Sequence, residues 1–335
     1  MIFTNEMKQE IINDLVSNKA DKLNFKIDDF QKLQGADTET FSFNLINEKE
    51  RTSLILRIYR DTTERAEREF KTLQKLHSAN LSVPKPYTWK KHSQGFSRSY
   101  LIMEKIPGMI ASDYLFQLKS DEEKFELIAS FIQELVNLHS IKWKNQFPEV
   151  QKPDIKNNAY SFVEQIISFP KEMIIKYNVI ELKPLIEWLE KNKEKTENLS
   201  LLHGDYHMNN VIATPEGKLV IIDWANLMVG DYRHDLGFAI VATSSAGEDV
   251  LEHFKNLYQK ISGREVKNIY YFMVLSVLHN LLRCYSALTN PKITNENEIT
   301  KNMFMNVYKN YTQYLVKIVK EITGIKLKTL EEAVF

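Results

Sequence analysis

The stretch that most constrains this 335-residue chain runs from residue 199 to residue 224. A short apolar strand, Leu199–Leu202, leads into the polar loop HGDYHMNN. The segment VIATPEGKLVIIDW then reads as strand, turn, strand, with the turn at Pro215-Glu216-Gly217. A two-stranded hairpin returns its second strand beside its first. Asn210 at its start and Asp223 at its far end are therefore expected close together, with Asp205 in the loop beside them.

The patterning differs on the two sides of an early boundary. From Phe30 to about Tyr59 the signal is β. In TFSFNL, Phe41, Phe43 and Leu45 alternate with Ser42 and Asn44, the period of a half-buried strand. SLILRIY, Ser53 to Tyr59, is the next strand, after a polar hairpin loop over 47–50. A helix over Glu64–Leu76 follows, with Ala66, Phe70, Leu73 and Leu76 at helical spacing, and Val83-Pro84-Lys85-Pro86 ends it. SYLIMEKIPG, Ser99 to Gly108, is a further strand.

From about Ile110 helices dominate. Phe125, Ile128, Ile132, Leu135 and Leu138 form one apolar stripe. Further helices are expected near Ala159–Ile167, Ile180–Lys191, Ala246–Ile261, Ile269–Leu288 and Asn302–Ile322. No fixed-period repeat or low-complexity segment breaks this order.

Lys plus Arg equals Asp plus Glu at 44 each, so charge supplies no reason to expect nucleic acid or a membrane surface as partner. Hydrophobic residues at 43% supply a core for each of about two domains. The single cysteine, Cys284, excludes an internal disulfide and is expected in the core. The first residues read as an amphipathic helix with Met7, Ile11, Leu15 and Val16 on one face, not as a leader. No apolar run is expected to span a membrane. These readings place the protein in the cytoplasm, as monomer or homodimer.

The polar residues of the loop and hairpin suit phosphoryl transfer. That reaction needs a carboxylate to orient the attacking hydroxyl and oxygen ligands to hold magnesium against phosphates. Magnesium takes a few carboxylate or amide oxygens and keeps waters and phosphate oxygens besides. Asp and Asn also serve ordinary turns. What favours chemistry is the set of His203, Gly204, Asp205, His207, Asn210, Asp223, Trp224, Asp231 and Asp235 in one 33-residue window.

This window resembles the aminoglycoside phosphotransferase and choline kinase family, whose pattern is H-G-D-x-H-x-x-N followed by I-D-W and G-D-x-x-x-D-L. The resemblance extends more loosely over roughly the first 240 residues. It implies a bilobal α+β fold like that of protein kinases, with ATP in the cleft. Residues 1–106 would form a small β-rich nucleotide-binding lobe including the hinge. Residues 107–335 would form a larger, mostly helical catalytic and substrate-binding lobe. The implied activity is ATP- and Mg2+-dependent transfer of the γ-phosphoryl group to a hydroxyl of a small molecule.

By motif match, Asp205 would be the catalytic base, and Asn210 and Asp223 the magnesium ligands. His203 would pack beneath the catalytic loop, His207 would position it, and Asp235 would brace it from a following helix. Arg57 falls where kinases place a phosphate-binding lysine, a departure that keeps the charge but presents a planar fork. Glu69 resembles the helix glutamate that pairs with that cation, with Glu67 as runner-up. Gly35 resembles the phosphate-covering loop, and Thr38 adds a hydroxyl there. YLIMEKIPG resembles the hinge: adenine would bond the carbonyl of Glu104 and the amide of Ile106, with Met103 lining the pocket.

After Asp223 the sequence reads Trp224-Ala225, and 11 residues separate Asp223 from Asp235. That leaves no room for a long activation segment, which argues for a small alcohol as acceptor. Tyr206, Trp224, Asp231, Tyr232, His279, Asn280 and Arg283 are the candidates to face it. Candidate acceptors span antibiotics, amino alcohols, amino acids and sugars. Two other readings stand beside this one: a catalytically weak pseudokinase acting as a binding module, and a metal hydrolase using His203, Asp205, His207 and Asp223. Gly204 and the loop context disfavour the last.

Overall fold

A computed structural model describes residues 3–16, 24–33, 38–60, 64–243, 250–290 and 309–335. The element order begins α1 (Asn5–Val16), β1 (Lys26–Leu33), β2 (Thr38–Ile46), β3 (Arg51–Tyr59), α2 (Arg65–Ser78), β4 (Pro86–Lys90), β5 (Tyr100–Glu104), β6 (Met109–Ile110) and α3 (Ala111–Gln117). It continues α4 (Asp121–His139), α5 (Trp143–Gln146), α6 (Ser161–Lys176), α7 (Lys183–Lys191), β7 (Ser200–Leu202), β8 (Val211–Ala213), β9 (Leu219–Ile221) and β10 (Met228–Gly230). The remainder is helical: α8 (Tyr232–Thr243), α9 (Val250–Ser262), α10 (Ile269–Thr289), α11 (Lys309–Thr323) and α12 (Lys328–Val334). The expected α+β class, β-rich first and helical after, is the fold observed.

The chain divides into two compact units. One is Met1–Tyr114 with Val211–Ala225, the other Leu115–Asn210 with Asn226–Phe335. The hairpin of β8 and β9 belongs to the first unit because β8 pairs with β6, Ile110 opposite Ile212. A boundary drawn from the sequence at residue 106 does not anticipate that return.

In the first unit the five-stranded antiparallel sheet has the order β1-β2-β3-β5-β4. The alternation in β2 and β3 sends Phe41, Phe43, Leu45, Leu54, Leu56 and Ile58 to one buried face. That face packs with Ile11 of α1 and with Phe96, Tyr100 and Ile102. Each such side chain contributes about 1.5–3 kcal/mol on burial. Arg57 and Tyr59 sit at the intervening positions of β3. Helix α2 packs on β4 and β5 and buries Ala66, Glu69, Leu73 and Leu76. Strand β4 lies at the sheet edge, where its leading Pro86 costs no ladder bond.

In the second unit, Ser120 and Glu123 form a reciprocal capping box that starts α4. The α4 stripe is met by Ile132, Leu135 and Leu138, but Phe125 stands exposed, edge-on to His253. Helix α6 runs beyond the expected Ile167 to Lys176 and carries Pro170 inside. The expected helices from Ala246 and Asn302 lie partly outside the described residues; α9 and α11 are their described parts. Helices α8 and α10 approach closely at Gly237. A Cβ there would meet the backbone carbonyl carbon of Phe272 at 2.8 Å, so side chains cannot yield to admit one.

The expectation that no run reaches membrane-spanning length needs correction. Among the described residues α10 is one helix long and apolar enough, at 21 residues. Within the unit 67% of that apolar stretch is buried, including Cys284, which is the environment of a core helix.

Candidate functional site

The two units each carry a constellation. In the first, Arg57 on β3 donates through Nη1 to Glu69 Oε1 at 2.6 Å and through Nη2 to Asp223 Oδ1 at 3.2 Å. Glu69 is buried on the sheet-facing side of α2, so the helix and the strand supply the pair. Burial works against the guanidinium's charge, but Glu69 foremost, with Tyr59 and Asp223, holds its pKa above the ordinary value. The Arg57 Nε–H is buried and, among the described residues, has no hydrogen-bond partner. An orphaned cationic donor fits an anionic ligand such as a phosphate.

Asp223 follows β9 at φ +64°, left-handed backbone that costs a non-glycine residue on the order of 1–3 kcal/mol. Asp tolerates that region better than most. The carboxylate stays 46% exposed, available to a cation as well as to Arg57. Thr38 at the start of β2 hydrogen-bonds Thr40 at 3.0 Å and is buried. Gly35 lies outside the described residues. On β5, Met103 is buried, and Glu104 spends its side chain on the Lys85 amide and its own amide on the Lys85 carbonyl.

In the second unit, β7 delivers the chain into the loop at His203. Gly204 takes φ +79°, and a Cβ there would stand 2.5 Å from the Asn226 carbonyl oxygen. Asn210, in a 3₁₀ turn before β8, donates Nδ2 to the Asp205 carbonyl at 3.0 Å and to Asp205 Oδ2 at 3.2 Å. That use of the amide nitrogen leaves the amide oxygen as the Asn210 atom for a cation. His207 Nε2 is 3.6 Å from Asp205 Oδ1. Burial works to raise the Asp205 pKa, but His207, His203 and the Asn210 amide more than offset it. Asp205 is therefore an ionised carboxylate at neutral pH.

Beneath the loop, Asp235 is fully buried. Its Oδ2 accepts the His203 amide at 2.7 Å and its Oδ1 the Gly204 amide at 2.9 Å. His139, at the end of α4, sets its Nε2 3.3 Å from Asp235 Oδ2 and its Nδ1 2.8 Å from the Tyr258 hydroxyl. Sequence reasoning missed His139 and Tyr258. The one available signal was a histidine closing an apolar stripe.

Burial lowers the His139 and His234 pKa values from the ordinary 6.5, so both are neutral in the fold. In the unfolded chain they take up protons below about 6.5. Stability therefore declines as pH falls through that region. For Asp235 burial acts upward, but the His139 hydrogen bond and nearby imidazoles bring its pKa net below normal. Its contribution is lost at lower pH, below the ordinary carboxylate range. Urea midpoints measured at pH 8, 7, 6 and 5 should fall steadily below pH 7; a flat profile would contradict the assignment of buried neutral imidazoles.

Three candidates for an acceptor-facing role turn inward instead. Tyr206 is fully buried, stacks on Phe131 at 4.5 Å and donates its hydroxyl to the Phe131 carbonyl. Trp224 is buried and donates its indole N–H to the Ile221 carbonyl. Asp231 is buried in a bidentate pair with Arg233. With Tyr232 it borders a cavity of about 510 Å³ whose walls include neither Asp205 nor Asn210. Their polar atoms serve the fold. His279 lies exposed and stacked on Phe169. Asn280 donates to the hydroxyl of Tyr311 at 3.1 Å. The charge of Asp205 is among the influences that raise the Tyr311 phenol above its ordinary pKa, after burial and Cys284. Tyr311, unmarked in the sequence, thus stands within electrostatic reach of the loop carboxylate.

Comparison with known proteins places the chain in a family. A family model described as the phosphotransferase enzyme family matches residues 34–268. Acyl-CoA dehydrogenase family member 11 of Pongo abelii is 27% identical over 175 residues, 51% of this chain. The chain matches only 22% of that protein's length. Among solved structures, a Ralstonia eutropha JMP134 protein assigned to the aminoglycoside phosphotransferases superposes with TM-score 0.69 at 16% identity, covering 99% of this chain and 98% of its own. Spectinomycin phosphotransferase, solved with ADP and spectinomycin, gives TM-score 0.58 at 15% identity, covering 97% of each chain. At these identities the structural likeness concerns the fold.

Proposed function

Because the chain belongs to the phosphotransferase enzyme family, we propose that it transfers the γ-phosphoryl group of ATP, with magnesium, to a hydroxyl of a small molecule. The observation that carries this reading is the Arg57 guanidinium, clamped by Glu69 and Asp223 with its buried Nε–H unpartnered among the described residues. Arg57 binds the α- and β-phosphates. Thr38 lies on the strand that follows the phosphate-covering Gly35. Met103 lines the adenine pocket, which the Glu104 carbonyl and the Ile106 amide complete. Asn210, through its amide oxygen, and Asp223 hold magnesium. When bound, the ion neutralises charge on the phosphates. Asp205 accepts the proton of the attacking hydroxyl, and the amides held by Asp235 keep that carboxylate in place.

The acceptor is proposed from two directions. The structural neighbour named above binds spectinomycin, whereas the sequence relative is named for acyl-CoA. A phosphotransferase allied to acyl-CoA chemistry could take a hydroxyl on the acyl chain, so hydroxyacyl thioesters join aminoglycosides and amino alcohols as acceptors to test. Tyr232, His279, Asn280 and Arg283 stay as acceptor candidates, joined by Tyr311.

The test is ADP release from MgATP against a panel of hydroxylated acyl-CoAs, aminoglycosides, amino alcohols and sugars. One class should raise turnover well above the water background. Nucleotide binding with no stimulation by any class would favour the pseudokinase reading. Absence of MgATP binding would sink both.

A further inference from the structure

Arg57 and Tyr59 stand two positions apart on β3, so their side chains leave the same face of the strand. Both reach Glu69. Arg57 Nη1 donates to Oε1 at 2.6 Å, and the Tyr59 hydroxyl donates to Oε2 at 2.5 Å. The two carboxylate oxygens are thus held by two donors from one strand. Tyr59 itself is immobilised. It is 1% exposed, its amide donates to the Ser99 carbonyl, and the Arg65 guanidinium lies 5.9 Å over its ring.

A carboxylate held at one oxygen can still turn about its terminal bond, whose torsional profile is broad. Held at both, it cannot turn without breaking a buried hydrogen bond. Arg57 needs that fixity. Its fork meets Glu69 with one nitrogen and Asp223 with another, and among the described residues Nε is its one nitrogen with no hydrogen bond. The direction of Nε–H depends on where Glu69 holds the rest of the plane. A lysine, with rotatable donors around a point charge, would not depend on its partner in this way.

We propose that Tyr59 is a positioning residue for the nucleotide, locking Glu69 so that Arg57 presents its free donor to the phosphates. This rests on the reading that Arg57 binds phosphate. Burial and the neighbouring Glu69 charge raise the phenol's pKa well above normal, so it remains a donor throughout the working range.

Tyr59→Phe keeps the ring and removes the donor. Its Kd for MgADP, measured by titration calorimetry, should rise roughly 3- to 10-fold, as expected for a lost hydrogen bond to a charged group acting at one remove. In background ATP hydrolysis KM should rise while kcat holds. In a Glu69→Gln background the same substitution should change Kd by less than about twofold, because the two residues act through one contact. Equal losses in both backgrounds, or an unchanged Kd with or without a fallen Tm, would overturn the proposal. Arg57→Ala separates the two levels. If it weakens MgADP while Tyr59→Phe does not, only the role of Tyr59 fails. If Arg57→Ala also leaves binding unchanged, the phosphate reading of Arg57 fails with it.

Discussion

Replacing Asp205 by asparagine should lower acceptor phosphorylation by about 10²–10⁴-fold, the usual range for a positioned acid or base, while MgATP binding persists. The physical case rests on what the substitution keeps. An asparagine oxygen can still accept from the Asn210 Nδ2, which now meets both the carbonyl and the carboxylate of Asp205. Loop geometry therefore survives. What disappears is the charge, and with it the capacity to take a proton from the acceptor hydroxyl. His207, at 3.6 Å from Oδ1, loses the anion it faces. Turnover by single-time-point ADP release, alongside calorimetric MgATP binding, would check this. Wild-type turnover in the variant would remove Asp205 from the role of base.

The second large effect is on stability. Asp235→Ala should cost about 3–5 kcal/mol, because each buried polar group left unsatisfied costs on the order of 1–3 kcal/mol. The alanine would strand the amides of His203 and Gly204 and the imidazole of His139 at once. Asp235→Asn should be milder, since one oxygen remains, but its amide nitrogen would face a backbone N–H. Urea denaturation measures both variants. An Asp235→Ala midpoint equal to wild type would mean that water replaces the carboxylate. The loss should also reduce activity, because those two amides anchor the residues immediately before Asp205.

Much of this could be read from the chain. The strands of β2 and β3 are legible in strict alternation, and the Pro215-Glu216-Gly217 turn announces the hairpin. Other features follow from contacts that local pattern cannot carry. Strand β4 is preceded by Pro84 and begins at Pro86, and proline reads as a breaker; only its place at a sheet edge makes it tolerable. His139 lies 96 positions from Asp235, so no spacing rule couples them. Tyr206, Trp224 and Asp231 look like recognition residues by type and position. Their orientation depends on Phe131, the Ile221 carbonyl and Arg233, which hold the very atoms that would have met an acceptor. The motif points to the roles proposed for Asp205, Asn210 and Asp223 because phosphoryl transfer restricts residue type. Acceptor recognition imposes no such restriction, and it stays illegible.

The pairing of Ile110 with Ile212 has a consequence for biosynthesis. A ribosome exposes β6 long before it has made β8, its strand partner in the ladder. At about 5–20 residues per second, the wait lasts several seconds. The N-terminal unit therefore cannot be completed while it emerges, and a nascent chain halted between those strands carries an unfinished sheet. Expression fragments meant to isolate this unit need a covalent return: residues 211–225 spliced after 114 by a short linker, not a stop codon there.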